Sequence, residues 1–426
     1  MLTVAYLANQ FPAVVEPYVS EEIQELRSRG VKVIAGSVRK PEPTQKSFSN
    51  GPSEFPILYL QPVRMLILLR ALALLTAHWA RISSLLARVL MQGKETPTLR
   101  LKAFLHTLLG AYYAVLLQEH KVDHIHVHHG YFGSWIAMVA ARLLRISFSM
   151  TLHGSDLLVH GVYLDTKLEH CQFCATISEY NRRYIHEHFP EIDQKKIIVS
   201  RLGVDLPMLD AFPRKTAPHP KRNFNLLAVG RLHAVKDHAF LVRGCVRLRD
   251  SGLDFQCAIA GEGPERQRLE SLIRSNRLQD RITLLGHMRP PEMDALYREA
   301  NLVVLTSSSE GIPLVLMEAM VRGTLVLAPE ITGVPELVIA GTTGFLYQSG
   351  YLEDFVRQIY FLQSLMQFRD RPWINRLDWI RHAARVQVLH NFSRPDNLNH
   401  FGNAFLQLIA PHDWSSNHEN PVLQQI

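Results

Sequence analysis

A chain of 426 residues, 47% hydrophobic and 20% charged, is globular rather than disordered and too long for one ordinary core, so about two or three domains are expected. The net charge of +7 is modest, and its basic residues lack interleaved aromatics or a known binding motif, which argues against nucleic acid as a partner. Four cysteines with a single C-x-x-C (Cys171, Cys174) fit neither a zinc site nor a disulfide framework and favour a reduced, cytosolic setting, and no run of about twenty apolar residues is free of charge.

The opening MLTVAYLANQF has no basic leader and no small-residue cleavage site, and reads as a first strand, Thr3 to Ala8, rather than a signal peptide. The turn NQFPAVVEPYVSEEI follows, then a helix to about Arg29, closed by Gly30, and a second strand, VKVIAGSV. Strand, helix, strand in this span is a βαβ unit, which implies a parallel sheet with ligands at the carboxyl ends of its strands. The loop Asn9–Glu16 belongs at that end. Lys40 to Pro62 is rich in Pro and Ser and reads as a loop.

Between Phe55 and Leu105, seven cations (Arg64, Arg70, Arg81, Arg88, Lys94, Arg100, Lys102) face one acid, Glu95, in a helical segment rich in Leu, Ile and Ala. Such a segment suits the face of an anionic membrane, or else ordinary helix packing with the Arg heads snorkelling outward. DHIHVHH, Asp123 to His129, alternates with period two, so His124, His126 and His128 share one strand face. Metal binding by these histidines is not expected. Gly130 to Leu144 reads as a helix, and Ser147 to Leu152 as a strand that exits at His153, Gly154, Ser155 and Asp156. CATIS is a further short strand, followed by the helix EYNRRYIHEHF and the strand IIVSRLGVD.

Leu206 to Asn223 is rich in Pro and Lys and reads as a linker. A second α/β series begins with FNLLAVGRL, which ends at Gly230–Arg231, with Lys236 and Asp237 preceding a helix. DFQCAIAGEGPERQRL is strand, turn and helix around Gly261, Gly263 and Pro264, without the dinucleotide glycine fingerprint. RITLLGHM is the next strand. The densest stretch runs from Asn301 to Leu346. A strand, Leu302 to Leu305, breaks at Ser307–Ser309; Glu310, Gly311, Ile312 and Pro313 follow, and then a helix from Leu314 carrying Glu318. The free N–H groups at that helix start favour an anion, and carboxylates beside them can hold hydroxyl groups. Tyr351 to Met366 and the tail from Trp379 through Leu408 read as helical, with no internal repeat.

Glu310, Glu318, Gly323 and the turn Gly333–Glu336 stand in an arrangement that resembles the signature of retaining glycosyltransferases of the GT-B fold, the family 4 group that uses nucleotide sugars. Gly230–Arg231 with Lys236, the Gly261–Pro264 turn, and Thr151-x-His153-Gly154-x-Asp156 resemble other motifs of that family. Phe11, Pro12 and Glu16 resemble the first loop of its exopolysaccharide and colanic-acid-type members; Val15 and Pro17 replace the usual neighbours, and the loop lacks the glycine pair many relatives carry.

The resemblance implies an α/β GT-B architecture of two facing Rossmann-like domains. The N-terminal, acceptor-binding domain would take residues 1–205 plus a C-terminal helix, about 390–426, that crosses back to it. The domain for the nucleotide sugar would take 206–389. It also implies roles. Glu318 holds the ribose hydroxyls and Glu310 hydroxyls of the donor sugar. Arg231, Lys236 and the main-chain turn Gly311, Ile312, Pro313 and Leu314, whose N–H groups other than that of Pro313 can donate, take the leaving diphosphate. Gly261 lines that site, His287 lies where the base binds, and His153 meets the sugar or the acceptor.

The expectation is thus a cytoplasmic enzyme at the inner face of the inner membrane, using no cofactor and no metal. It would move a hexose from a UDP- or GDP-sugar to a saccharide or lipid-linked acceptor, with peripheral membrane contact through residues 55–105. A non-catalytic nucleotide-sugar-binding or scaffold protein on the same fold is the alternative, which intact Arg231, Lys236, Glu310 and Glu318 argue against. A phosphorylase-type enzyme would need a pyridoxal-phosphate lysine region that the sequence does not display.

Overall fold

The computed structural model describes residues 1–13, 16–41, 57–92, 95–159, 161–205, 224–367 and 371–409. The expected linker 206–223, Val15, Lys94, most of the loop 40–62 and the chain beyond 409 lie outside these residues. Two compact units emerge: one from Met1–Ile177, Asn181–Ser200 and the C-terminal segment from Leu398 on, the other from Ser178–Tyr180 and Arg201–Asn397.

The first unit holds strands β1 (Thr3–Gln10), β2 (Lys32–Arg39), β3 (Ile57–Tyr59), β4 (His124–His128), β5 (Ser147–Leu152), β6 (Cys174–Thr176) and β7 (Ile197–Val199). They form one parallel sheet in the order β3-β2-β1-β4-β5-β6-β7. Period-two alternation sends neighbours in β1 to opposite cores. Ala5 and Leu7 join one core, with Trp135 and Tyr113; Val4, Tyr6 and Ala8 join the other, with Phe401 and Phe405 of the C-terminal helix Arg394–Ile409. A sheet covered on both faces reads as the apolar runs seen in its strands.

The second unit repeats the plan. Strands β8 (Phe224–Val229), β9 (Phe255–Ala260), β10 (Ile282–Gly286), β11 (Leu302–Val304), β12 (Leu325–Pro329) and β13 (Phe345–Tyr347) pair in parallel as β10-β9-β8-β11-β12-β13. Each unit is a Rossmann-like domain. In each, the order reverses beside the first strand, between β1 and β4 and between β8 and β11. Loops leaving such a crossover splay apart and open a crevice at the carboxyl ends.

Several boundaries differ from expectation. The first helix starts at Pro17, inside the stretch read as a turn, because Pro at the first helical position needs no N–H partner. Pro313 is the N-cap of the helix Leu314–Val321, one place before its first turn. The C-terminal helical tail breaks into Arg371–Asn391 and Arg394–Ile409 around Phe392 and Ser393.

The segment expected to be basic and apolar forms β3 and the helices Met65–Ala77, Trp79–Leu90 and Pro97–Leu117. Met65, Leu66, Leu69, Leu72, Trp79, Leu90, Leu101, Phe104 and Leu105 are exposed large hydrophobics. Its cations divide. Arg81 bonds to the Leu143 carbonyl, Arg88 to Glu95 and Asp165, and Arg100 to the Glu95 and Leu90 carbonyls, whereas Arg64, Arg70 and Lys102 are exposed. Among the described residues no single helix is long and apolar enough to cross a membrane. The pair Met65–Ala77 and Trp79–Leu90, bent by 93°, reaches that length and composition only together.

Candidate active site

At the crossover of the second unit, the loop leaving β11 is fastened to the loop leaving β8. The Ser308 N–H donates to the Val235 carbonyl (2.9 Å), and the Thr306 hydroxyl to the Lys236 carbonyl (3.0 Å). These bonds bring together two residues 74 positions apart: Lys236 Nζ lies 2.5 Å from Glu310 Oε1, with both side chains largely shielded (22% and 10% exposed). One carboxylate oxygen thus neutralises the lysine, and one Lys N–H remains for each of two further acceptors. Behind Glu310, the Thr332 hydroxyl donates to its carbonyl (2.5 Å). A Cβ at Gly333 would stand 2.4 Å from the Gly311 carbonyl oxygen, so the second glycine-rich turn packs directly on the first.

The helix Leu314–Val321 starts immediately after. Its residues are strong helix formers, and it ends at Gly323 (φ +70°), where Thr324 N–H bonds to the Ala319 carbonyl and Gly323 N–H to that of Met320. Leu316, Met317, Ala319, Met320 and Val321 are buried, which anchors the helix with its first N–H groups at the crossover. Pro313 caps it without a side-chain acceptor, so the N-cap residue itself does not occupy the helix's first N–H groups. Glu318, half-buried in the second turn, accepts from the Tyr297 hydroxyl (2.7 Å), and Arg322 lies over the Tyr297 ring. Burial and the Glu318 charge both push the Tyr297 phenol up, so it stays a donor.

Gly261 (φ +149°) lies against the end of β8: a Cβ there would sit 1.9 Å from the Gly230 carbonyl oxygen. Gly261 N–H also donates to the Gly286 carbonyl (2.8 Å), which joins the exits of β8, β9 and β10. Arg231 and His287, at the exits of β8 and β10, are exposed. Among the described residues the buried Ser307 hydroxyl lacks a hydrogen-bond partner, and His238 is buried at the start of the helix that follows Lys236. The structure therefore brings Lys236, Glu310, Gly311, Ile312, Pro313 and Leu314 to one loop cluster. It sets Glu318 one helical turn further on and Gly261 beneath the end of β8.

His153 belongs to the first unit, where the exits of β4 and β5 meet. Asp156, fully buried, is their clamp. Its carboxylate accepts from the N–H of Gly130 (2.9 Å), His153 (3.0 Å) and Gly154 (2.8 Å), and lies 3.5 Å from His129. His129 and these N–H groups hold the acid well below the usual carboxylate range despite burial. Burial alone would lower His129, but Asp156 and Glu16 outweigh it and raise the imidazole to about 10. Lys167, also buried, donates to the carbonyls of Gly130, Tyr131 and Val162, and burial lowers it to about 7. His153 stacks on Tyr18 and is kept neutral by burial and by the neighbouring His129 and His128.

His124, His126 and His128 share a face, as their spacing requires, and all are buried. Ser147, Ser149 and Thr151 of β5 bond to the first two, and Glu22 to the third. Donor atoms of Glu22, His126 and His128 come within 4.8 Å of one another, yet the histidine Nε2 atoms among them already bond to Thr151 and to Glu22. Glu22, Asp156 as a clamp, Lys167 and Tyr297 carry functions that sequence reasoning did not assign. Asp156 stood inside the Thr-x-His-Gly-x-Asp motif and was the one detectable signal.

Comparison with known proteins bears on both units. Residues 211–372 match the family described as Glycosyl transferases group 1, and residues 88–207 the Glycosyltransferase Family 4 description. The chain is 30% identical over 207 residues to WcaL of Escherichia coli, named for colanic acid biosynthesis. That match takes in 47% of this chain and 48% of that protein, so the chain spans about half of its length. It is 27% identical over 254 residues to the amylovoran biosynthesis glycosyltransferase AmsK of Erwinia amylovora, 57% of this chain and 62% of that one. Among solved structures, sucrose-phosphate synthase of Thermosynechococcus elongatus superposes with TM-score 0.69 at 19% identity, covering 96% of this chain and all of that one. HepE of Anabaena, in complex with UDP-glucose, superposes with TM-score 0.67 at 16% identity over the same shares. These two likenesses carry the fold, which is GT-B.

Proposed function

We propose, from the match of residues 211–372 to the group 1 and of residues 88–207 to the family 4 description, that the chain is a retaining, metal-independent glycosyltransferase of that type. It moves a hexose from a UDP- or GDP-sugar to a saccharide or lipid-linked acceptor in surface polysaccharide or glycoconjugate biosynthesis. The observation that carries this reading is the Lys236–Glu310 pair beside an uncapped helix start, with Glu318 in the second turn of that helix. The relatives named for colanic acid and amylovoran biosynthesis support the polysaccharide half.

The geometry divides the labour. The helix N–H groups, Lys236 and Arg231 take the diphosphate, whose negative charge grows as the sugar departs; Arg supplies a planar fork and Lys a point charge. Glu318, oriented by Tyr297, accepts from two vicinal ribose hydroxyls. Glu310 keeps Oε2 for the donor sugar and lends Oε1 to Lys236, which couples sugar position to phosphate position. Gly261 lets the chain close under the diphosphate, and the β10 exit at His287 meets the base through main-chain groups. The acceptor hydroxyl attacks from the face the diphosphate leaves, the phosphate oxygen takes its proton, and the anomeric configuration is retained. The two-carboxylate hydrolase chemistry is not invoked.

The first unit is assigned the acceptor, and the exposed apolar residues of 63–105 with Arg64, Arg70 and Lys102 an anionic membrane face, placing the enzyme on the cytoplasmic side of the inner membrane. Incubating the protein with labelled nucleotide sugars and a lipid-linked saccharide, with a chelator present, tests the reading. A product with the donor's anomeric configuration is expected; inversion, chelator-sensitive transfer or no transfer from any donor would overturn it. Flotation with anionic vesicles, lost on replacing Arg64, Arg70 and Lys102 by Glu, tests the membrane face.

A further inference from the structure

A cavity of about 190 Å³ opens in the first unit where β2 and β3 end, away from the histidines of the crossover. Its wall is apolar: Leu58, Ile67 and Leu116 with the rings of Tyr59 and Tyr112. Two exposed cations, Lys40 and Arg64, stand at its rim, and no acid is among the described residues that line it. Lys40 Nζ lies 5.5 Å from the centre of the Tyr59 ring, which keeps the ammonium over the wall. The Arg64 N–H donates to the Tyr112 hydroxyl (3.2 Å), which fixes the rim to the wall. Arg64 is also the N-cap of the helix Met65–Ala77, whose first turn has no side-chain cap and no acid, so the helix dipole adds to the positive rim. A space of about 150 Å³ takes a benzene ring, so this one takes a single chain of roughly six to eight carbons.

We propose that this cavity seats the first carbons of a single-chain lipid phosphate, with the phosphate held at the rim by Lys40 and Arg64. A free phosphate would leave the apolar wall unused, and a neutral hydrocarbon would leave the cations unused. The ligand that uses both is an anion joined to a hydrocarbon chain. The space admits one chain rather than the paired chains of a bilayer lipid. The exposed Met65, Leu66 and Leu69 continue the apolar surface beyond it. β3 lies two strands from β1, about 10 Å at ordinary strand spacing, on the same carboxyl edge as the crossover between β1 and β4. A saccharide linked to a phosphate at this rim can therefore run along that edge to the crossover. That the seated lipid carries the acceptor rests on the transferase reading; the lipid phosphate site does not.

Calorimetry on the whole chain with butyl, hexyl, octyl and decyl phosphate, each kept below its micelle concentration, tests the site; octanol and inorganic phosphate are the single-feature controls. Affinity should rise about fourfold per methylene until a chain of about eight carbons fills the cavity, and less steeply beyond. Octanol and inorganic phosphate should each bind at least about tenfold more weakly than octyl phosphate. Leu116→Trp, which fills the cavity, and Lys40→Glu, which reverses one rim charge, should each weaken octyl phosphate about tenfold or more with circular dichroism unchanged. Leu116→Trp should still float with anionic vesicles. Affinity independent of chain length, or inorganic phosphate bound as tightly as octyl phosphate, overturns the cavity; octanol bound as tightly overturns the rim. Octyl phosphate bound undiminished by folded Lys40→Glu, or flotation lost together with octyl phosphate in Leu116→Trp, overturns the single-chain site. In transfer assays octyl phosphate should raise KM for a lipid-linked saccharide and leave KM for the nucleotide sugar unchanged; absence of that competition overturns the acceptor assignment. Octyl phosphate binding in a wild type that transfers no sugar would sustain the site and count against the transferase reading alone.

Discussion

At the crossover of the second sheet, Gly230, Gly261 and Gly333 bring main chain against main chain, and the charged side chains are few: Lys236 on Glu310, with Arg231 and Glu318 nearby. At the crossover of the first sheet, side chains crowd the same topological place: His128, His129 and His153 with Glu16, Glu22 and Asp156. Counted from its own first strand, each sheet runs 3-2-1-4-5-6, and the first adds a seventh strand at the far edge. The fold supplies a crevice and leaves its chemistry to the loops. Backbone N–H groups and a helix start suit a diphosphate that is common to many donors. A rigid side-chain network suits one particular arrangement of hydroxyls.

The contrast predicts, first, that acid separates the units. Burial holds His124 at about 3, and His126 and His153 well below the ordinary imidazole value. Each depressed histidine must stay neutral to remain folded, so stability is intact above the unfolded value near pH 6.5 and is lost as pH falls below it, by about 1.4 kcal/mol per pH unit per group. Three such groups give roughly 4 kcal/mol per unit, against a typical domain stability of about 5–15 kcal/mol. His129 works in the other direction: its raised value adds stability that is complete below pH 6.5 and is lost toward pH 10. Asp156 contributes until pH falls below about 4. Hydrogen exchange should show the first unit opening near pH 5 while the second, where His238 is a buried histidine with a lowered value, stays protected. Simultaneous opening would erase the comparison.

Second in size is Gly261→Ala. The added methyl meets the Gly230 carbonyl at a backbone angle that disfavours side chains, and about 4 kcal/mol of stability should be lost, confined to the second unit in thermal unfolding. Third, Lys236→Ala removes charge from the leaving diphosphate and leaves Glu310 unpaired; transfer should slow about 100-fold or more, with the fold intact by circular dichroism. The smallest effect is Tyr297→Phe. It removes one hydrogen bond to Glu318, about 1 kcal/mol, so donor affinity by calorimetry should weaken about fivefold.

The second crossover was legible because its determinants are local. Glu310, Gly311, Pro313 and Glu318 lie within one strand–turn–helix, and glycine and proline report backbone needs directly. The partner of Glu318 was not legible, since Tyr297 sits on another helix, 21 positions away. The first crossover was harder still. Period two placed three histidines on one face of β4, but the acid that bonds to the third, Glu22, is 106 positions from His128 and lies in the first helix. Asp156 shows the boundary: its motif was visible, while its role as a clamp across two strand exits required the pairing of β4 with β5.

The central claim is that a nucleoside diphosphate sugar binds at the second crossover, with Glu318 on its ribose. Thermal unfolding with UDP-glucose, UDP-galactose, UDP-N-acetylglucosamine and GDP-mannose, on wild type and Glu318→Ala, tests it most directly. One donor, at a hundred times its dissociation constant, should add about 2.7 kcal/mol of stability to the wild type and little to the variant. A folded wild type that none of these donors stabilises, or one stabilised equally with and without the Glu318 carboxylate, would contradict the account.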